Sequence, residues 1–258
     1  MSNIIFYEKI LNKLSPKKII ITYGRFKAIC AASSKIGIPV YLMQHALVFE
    51  NDYALANTCP QREFGFFPNV LLTFGNYWGQ YMKKLVNVQV LGNRYLSKKI
   101  MGPQGEAVLF ISTPKQGVLL GPIAKRFAES NPQIHILYRL HPSEYAIKEK
   151  YMELFCECSN IDVITNESSF EESLTQSRLV VGIFSTALYE ALHQDRIIAV
   201  LDDDAYQTYL SNLKGLANVY FFTSERDLLD ITKRKIEPSN TTFFEPLKEE
   251  VIRTVLNE

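Results

Sequence analysis

Short apolar runs alternate with amphipathic stretches along most of the chain, a pattern that predicts strand followed by helix many times over. Lys18 to Thr22 is a β-branched apolar run of the kind found in strands buried on both faces. Arg25 to Ile36 reads as a helix closed by Gly37 and Pro39. Val40 to Met43, Val70 to Phe74 and Val88 to Leu91 are further short strands, with a helix over Asn76 to Leu85. Between them, Gln44 to Pro68 is broken by Pro60, Gly65 and Pro68 and reads as irregular. Ser97 to Glu106, with Gly102-Pro103 and Gly105, has the composition of a linker.

A second series follows. Strands are predicted at Ala107 to Ser112, Ile134 to Leu140, Ile161 to Ile164, Leu179 to Val181, Ile197 to Leu201 and Val219 to Phe222. The helices that separate and follow them are Leu119 to Ser130, Ser143 to Cys156, Ser169 to Gln176, Ser185 to His193, Tyr206 to Leu213 and Glu225 to Ile231, and Thr242 to Leu256 reads as a C-terminal helix. Strictly alternating β and α elements predict parallel sheets with helices on both faces. The expected fold class is therefore α/β, with two Rossmann-like doubly wound domains: a short N-terminal one at 1–98 and a complete C-terminal one at 99–258. No solenoid-period repeat or low-complexity tract interrupts this reading.

Composition narrows the function classes. The 258 residues are 47% hydrophobic, enough for a sizeable core, and 28 basic residues nearly balance 27 acidic ones. That balance lacks the basic footprint of a nucleic-acid binder. Of the four cysteines, Cys156 and Cys158 stand as Cys-Glu-Cys without histidines at zinc-ligand spacing, so neither a metal site nor a disulfide framework is expected, and a reducing cytoplasm fits. The N-terminal Met1 to Phe6 is too short and too quickly polar for a signal peptide, and no apolar run reaches the ~20 residues of a membrane span.

Candidate chemistry gathers where predicted strands end, the edge at which open α/β sheets bind ligands. Ser185 and Thr186 open a helix whose first-turn N–H groups can hold a phosphate, and Glu190, four residues after Thr186, can take the hydroxyls of a ribose. Arg139 and His141 alternate on one side of their strand, and Pro142 suits a first helical turn; an imidazole there can donate to a phosphate or stabilise a departing one. Thr113, in the Ser112–Gly117 loop, occupies the first strand–helix turn of the second domain, although the loop is not a P-loop. In the first domain His45 can serve as a general base toward an acceptor hydroxyl, with Glu50 and Asp52 close in sequence as alternatives. Each residue also suits a plainer role: Ser185 an N-cap, Glu190 a solvated helix residue, His141 a local cap, His45 an ordinary loop histidine. Asp202-Asp203-Asp204 reads as a solvated helix start rather than a metal site.

Two of these segments, Tyr138-Arg139-Leu140-His141-Pro142-Ser143-Glu144 and Phe184-Ser185-Thr186-Ala187-Leu188-Tyr189-Glu190-Ala191-Leu192, resemble motifs of bacterial surface-polysaccharide glycosyltransferases of the GT-B type. These include polysialyltransferase-like and capsule Kdo-transferase-like enzymes and the CDP-glycerol glycerophosphotransferases. Gln44-His45-Ala46 is similar to their first-domain Gln/Trp-His-Gly segment, with Ala46 in place of the Gly. Phe74-Gly75-Asn76-Tyr77-Trp78 and Val90-Leu91-Gly92-Asn93 resemble the stretch that joins the two domains. The first domain is shorter than in those families, as though its opening βα units were absent.

The resemblance implies a metal-independent glycosyltransferase without cofactor, acting in capsule, O-antigen or related surface glycan synthesis. Its partners would be a nucleotide-sugar donor, CMP-linked in preference to UDP-linked, and a glycan or glycolipid acceptor. His141, Ser185 and Thr186 would hold the donor phosphate and Glu190 the ribose. The expected location is cytoplasmic, with room for peripheral or partner-mediated association at the inner membrane face. A non-hydrolysing sugar-nucleotide epimerase shares the fold, and a catalytically silent glycan-binding or assembly subunit accounts for the short first domain.

Overall fold

A computed structural model of the protein describes residues 2–22, 27–48, 66–80, 82–83, 86–101, 104–114 and 116–257. The expected helix start at Arg25, most of the irregular 44–68 segment including Glu50 and Asp52, the Gly102-Pro103 pair and Lys115 lie outside the described residues. The chain divides into two compact units, one formed by Met1–Lys98 together with Thr241–Glu258, the other by Lys99–Asn240.

In the first unit, β1 (Ile19–Ile21), β2 (Val40–Met43), β3 (Val70–Thr73) and β4 (Asn87–Val90) form a parallel sheet in the order β1-β2-β3-β4. Every residue of β3 is buried, as its unbroken Val-Leu-Leu-Thr run requires. The helices are α1 (Ser2–Leu14), α2 (Lys27–Ile36) and the single turn α3 (Asn76–Gly79). Helix α1 was not anticipated from the sequence.

The C-terminal segment corrects the expected domain limits and the expected long helix. Residues before Glu249 are extended and bonded to the first unit rather than helical: Glu245 N–H donates to Phe74 O at 2.8 Å, Asn93 N–H to Glu245 O at 2.8 Å, Lys248 N–H to Leu91 O at 2.9 Å, and the Trp78 indole N–H to Phe243 O at 2.7 Å. Phe243 and Phe244 are buried anchors here, not successive positions on one helix face. Gly92 makes room for this strap: its φ is +79°, and a Cβ there would overlap the Pro246 carbonyl and meet Glu245 O at 2.8 Å. The helix itself spans only Glu249–Asn257 and sends Val255 into a cluster with Tyr41, Val70, Leu72 and Leu91.

In the second unit, β5 (Ala107–Ile111), β6 (Ile136–Arg139), β7 (Ile161–Ile164), β8 (Ser177–Gly182), β9 (Ile197–Leu201) and β10 (Val219–Phe222) pair in parallel in the order β10-β9-β8-β5-β6-β7. Counted within the unit this is the 3-2-1-4-5-6 order of a doubly wound sheet, which reverses direction between β5 and β8. All residues of β5 and β9 are buried, and the Phe110, Phe127 and Tyr138 rings pack in the same core.

The connecting helices are α4 (Gly117–Ser130), α5 (Lys148–Leu154), α6 (Phe170–Gln176), α7 (Thr186–His193), α8 (Gln207–Leu210) and α9 (Glu225–Thr232), and the C-terminal Glu249–Asn257 helix is α10. Two expected helices are split: the 143–156 stretch begins as a 3-10 turn, Pro142–Ile147, and the 206–213 stretch as a 3-10 turn, Asp204–Tyr206. In both, polar side chains that cap tight turns outcompete the longer α-helical pattern.

Candidate functional site

The switch point brings together the loops that leave β5, β6 and β8. Strand β5 pairs with β6 on one side and β8 on the other, so residues 112–114, 116–117, 140–144 and 183–186 share one edge of the sheet. The Ser112 N–H donates to Arg139 O at 2.9 Å and fixes the first two loops to each other.

His141 is the N-cap of the 3-10 turn. Its Nδ1 accepts from the Ser143 N–H at 3.2 Å and lies 2.8 Å from Ser143 Oγ. An Nδ1 that accepts from a backbone amide carries no proton in the neutral ring, so the proton resides on Nε2, available as a donor from an exposed imidazole. Glu144 completes a capping box: one oxygen accepts from the His141 N–H at 3.2 Å and the other from the Tyr151 hydroxyl at 2.9 Å. At 6% exposure this carboxylate is an interior group. Gly117 closes the cluster from the β5 loop, because a Cβ there would overlap the Tyr151 hydroxyl and stand 2.6 Å from Ser112 Oγ and 2.9 Å from Glu144 Oε1. Glu144, Tyr151 and Gly117 were not singled out from the sequence; the His-Pro-Ser-Glu spacing, a cap followed three residues later by Glu, is the signal for the first of them.

Helix α7 begins at Thr186 with Ser185 as N-cap, its Oγ accepting from the Ala187 N–H at 3.2 Å. The Ser185 hydroxyl proton is thereby left to donate outward. One turn on, Glu190 is half-buried, and its carboxylate has no hydrogen bond or ion pair among the described residues; burial raises its pKa above the ordinary 4.5. Thr113 Oγ1 and the Gln116 Oε1 atom in the β5 loop are also buried without a partner among the described residues. Such groups are costly unless something else completes them.

Arg139 stands apart from this set. Although it is two residues from His141, its guanidinium donates to Ser168 O at 2.9 Å, Ser169 O at 3.3 Å and Ser173 Oγ at 3.0 Å, and it lies 6.0 Å from the Phe170 ring centre. These contacts anchor the β7–α6 loop.

His45 belongs to the first unit, exposed at the C-terminal end of β2. Next to it, the buried Gln44 side chain ties two strand ends, accepting from the Phe74 N–H and donating to Ala46 O, both at 2.9 Å. In the Asp202–Asp204 run, Asp203 caps the 3-10 turn through the Ala205 N–H and Asp202 accepts from Gln207 Nε2 at 2.6 Å. No group of metal-ligating side chains occurs among the described residues. The two clefts described in the second unit lie elsewhere, one near Gly105, His135 and Arg178 at the opposite edge of the sheet and one along β10.

No family model matches the chain, and no curated protein matches it. Solved structures do. The UDP-GlcNAc 2-epimerase of Neisseria meningitidis, bound to UDP-GlcNAc, matches with a TM-score of 0.65 at 12% identity over 99% of this chain and 80% of that one. The UDP-GlcNAc 2-epimerase of Methanocaldococcus jannaschii, in complex with UDP-GlcNAc and UDP, gives 0.63 at 14% identity over 99% and 80%. MurG of Acinetobacter baumannii gives 0.61 at 12% identity over 99% and 77%. At such identities the likeness is one of fold: two parallel-sheet, Rossmann-like α/β domains of the GT-B kind.

Proposed function

We propose that the protein is a nucleotide-sugar enzyme whose second unit binds the nucleotide at the edge formed by β5, β6 and β8, and that it transfers the sugar to a growing bacterial surface glycan. The observation that carries the nucleotide reading is the N-terminal turn of α7: a dipole end with a free hydroxyl donor at Ser185, followed one turn later by the partnerless carboxylate of Glu190. The donor phosphate takes the Thr186-end N–H groups, the Ser185 and Thr113 hydroxyls and the His141 Nε2 proton. The Glu190 carboxylate accepts from the ribose hydroxyls. Charge that accumulates on the departing phosphate is met by preorganised donors and a helix end, so the step needs no metal. His45 is the proposed base toward the acceptor hydroxyl. The His-Pro and Ser-Thr segments favour a CMP-linked donor.

The test is a thermal-shift panel of CMP, CDP, UDP and GDP. A nucleotide at 100 times its dissociation constant stabilises by about 2.7 kcal/mol. Response to a cytidine nucleotide, lost in His141→Ala and Ser185→Ala, supports the assignment; unchanged affinity in both variants refutes the site. Silence toward all four nucleotides supports a binding subunit instead. Epimerase activity is the second reading, favoured by the epimerases among the similar structures, two of them bound to UDP-GlcNAc. It predicts a UDP response and conversion of UDP-GlcNAc to its C2 epimer, followed by NMR.

A further inference from the structure

The outer face of α1, in the first unit, carries an unusual mixture of side chains. At 100° per residue, Ile4, Tyr7, Glu8 and Leu11 share the face that packs on α2. Leu11 is buried there, and the Glu8 carboxylate pairs with Lys35 of α2 at 2.6 Å. The opposite face presents Ile5, 52% exposed, and Phe6, 58% exposed, with Lys9 and Lys13 interleaved and also exposed. Leu14, the last residue of α1, is 68% exposed, and Lys17 adds an exposed cation just past the helix end. Lys9, Lys13 and Lys17 form no ion pair among the described residues.

Charge along the chain points the same way. Residues 1–49 hold seven Lys and Arg and a single acid, Glu8, in a chain whose totals are nearly balanced. That one acid is neutralised on the inner face by Lys35. The outer face is therefore cationic and apolar together. Protein–protein interfaces deplete Lys at their cores. Lysines interleaved with large apolar side chains instead suit a boundary where apolar groups sink and long stems reach back to a charged layer.

We propose that α1 docks the first unit on an anionic lipid surface, with Ile5 and Phe6 entering the acyl boundary and Lys9, Lys13 and Lys17 at the headgroups. This is docking and not spanning, since no helix among the described residues is long and apolar enough to cross a membrane. It stands independently of the nucleotide site.

The experiment is co-flotation of the full chain with phosphatidylcholine vesicles, with and without phosphatidylglycerol. Binding to the anionic vesicles alone, released by high salt, is the expected result. Each lysine near an anionic surface contributes about fivefold in partitioning. Lys9→Glu with Lys13→Glu therefore lowers partitioning by more than about tenfold, and Ile5→Ser with Phe6→Ser lowers it even at low salt. All four side chains are exposed, so an unchanged circular dichroism spectrum and melting temperature verify that the variants are folded, and nucleotide thermal shift remains a separate readout. Failure to float with anionic vesicles overturns the proposal, as does equal flotation of parent and variants. Retention of an oligonucleotide, or loss of a dimer in the Ile5/Phe6 variant, without vesicle binding overturns it in favour of nucleic acid or a second copy.

Discussion

The Tyr151 hydroxyl donates to the Glu144 carboxylate at 2.9 Å, and through it the start of α5 holds the turn that presents His141. Glu144 has few other ways to satisfy its charge. Tyr151→Phe removes the hydroxyl and keeps the ring, leaving the carboxylate with the His141 N–H at 3.2 Å. An under-satisfied buried acceptor costs about 1–3 kcal/mol. At about 2–4 °C per kcal/mol for a chain of this size, the melting temperature falls by several degrees. Nucleotide affinity falls with it, because the His141 turn loses its anchor. An unchanged melting temperature would count against the cluster.

Glu190 predicts an opposition between stability and binding. Its folded-state pKa lies above the ordinary 4.5 because burial disfavours the charged form. The stability tied to its neutral form is therefore complete below the unfolded-state pKa and is lost as pH rises from there through the raised folded value. Above that window the buried charge works against folding. Glu190→Gln should melt higher than the parent at neutral pH and equal to it at the acid end of the scan. The same substitution loses a charged acceptor for the nucleotide, and affinity drops by about tenfold or more. Calorimetric melting across pH, with nucleotide titration of both proteins, checks the two halves separately.

Arg139→Lys tests whether this side chain is a loop anchor. One ammonium cannot reproduce a guanidinium fork that reaches Ser168 O, Ser169 O and Ser173 Oγ together. A loss of about 1–3 kcal/mol is expected. Hydrogen exchange should accelerate in residues 165–173 first, with little change at the α7 N-terminus. Faster exchange at α7 with the 165–173 loop unaltered would instead place Arg139 at the nucleotide edge.

Gly92→Ala addresses the C-terminal strap. The φ of +79° and the overlap with the Pro246 carbonyl act together, so the strap or the β4 end must shift. The expected cost is about 1–3 kcal/mol. Limited proteolysis should then cut within residues 241–258 well before the parent is cut there.

Most strands were legible because buried parallel strands are written as apolar runs: Val40–Met43, buried but for Met43, and the fully buried Ile197–Leu201 appear where the pattern puts them. Helix α1 was hidden by Ile4-Ile5-Phe6, where inward and outward apolar residues stand side by side and blur the 3.6-residue period. The strap was mistaken for helix because Phe243 and Phe244 show burial without showing its geometry. At the site, local chemistry was readable: Ser185 and His141 are caps as well as candidate ligands. Arg139 shows what spacing withholds. Alternation with His141 states a strand face, whereas its partners, from Ser168 to Ser173, lie about thirty residues further along the chain.

The return of Thr241–Glu258 to the first unit has a consequence for biosynthesis. Domains emerging from the ribosome ordinarily complete themselves in chain order, the N-terminal one first. Here Lys99–Asn240 is continuous and can close as soon as it has been made, whereas the core of Tyr41, Leu72 and Leu91 waits for Val255, and the Trp78 indole waits for Phe243. Of the two units, the one whose strands are made first is thus the later to close. Nascent chains stalled before residue 241 should carry a protease-resistant second unit beside an unfinished first.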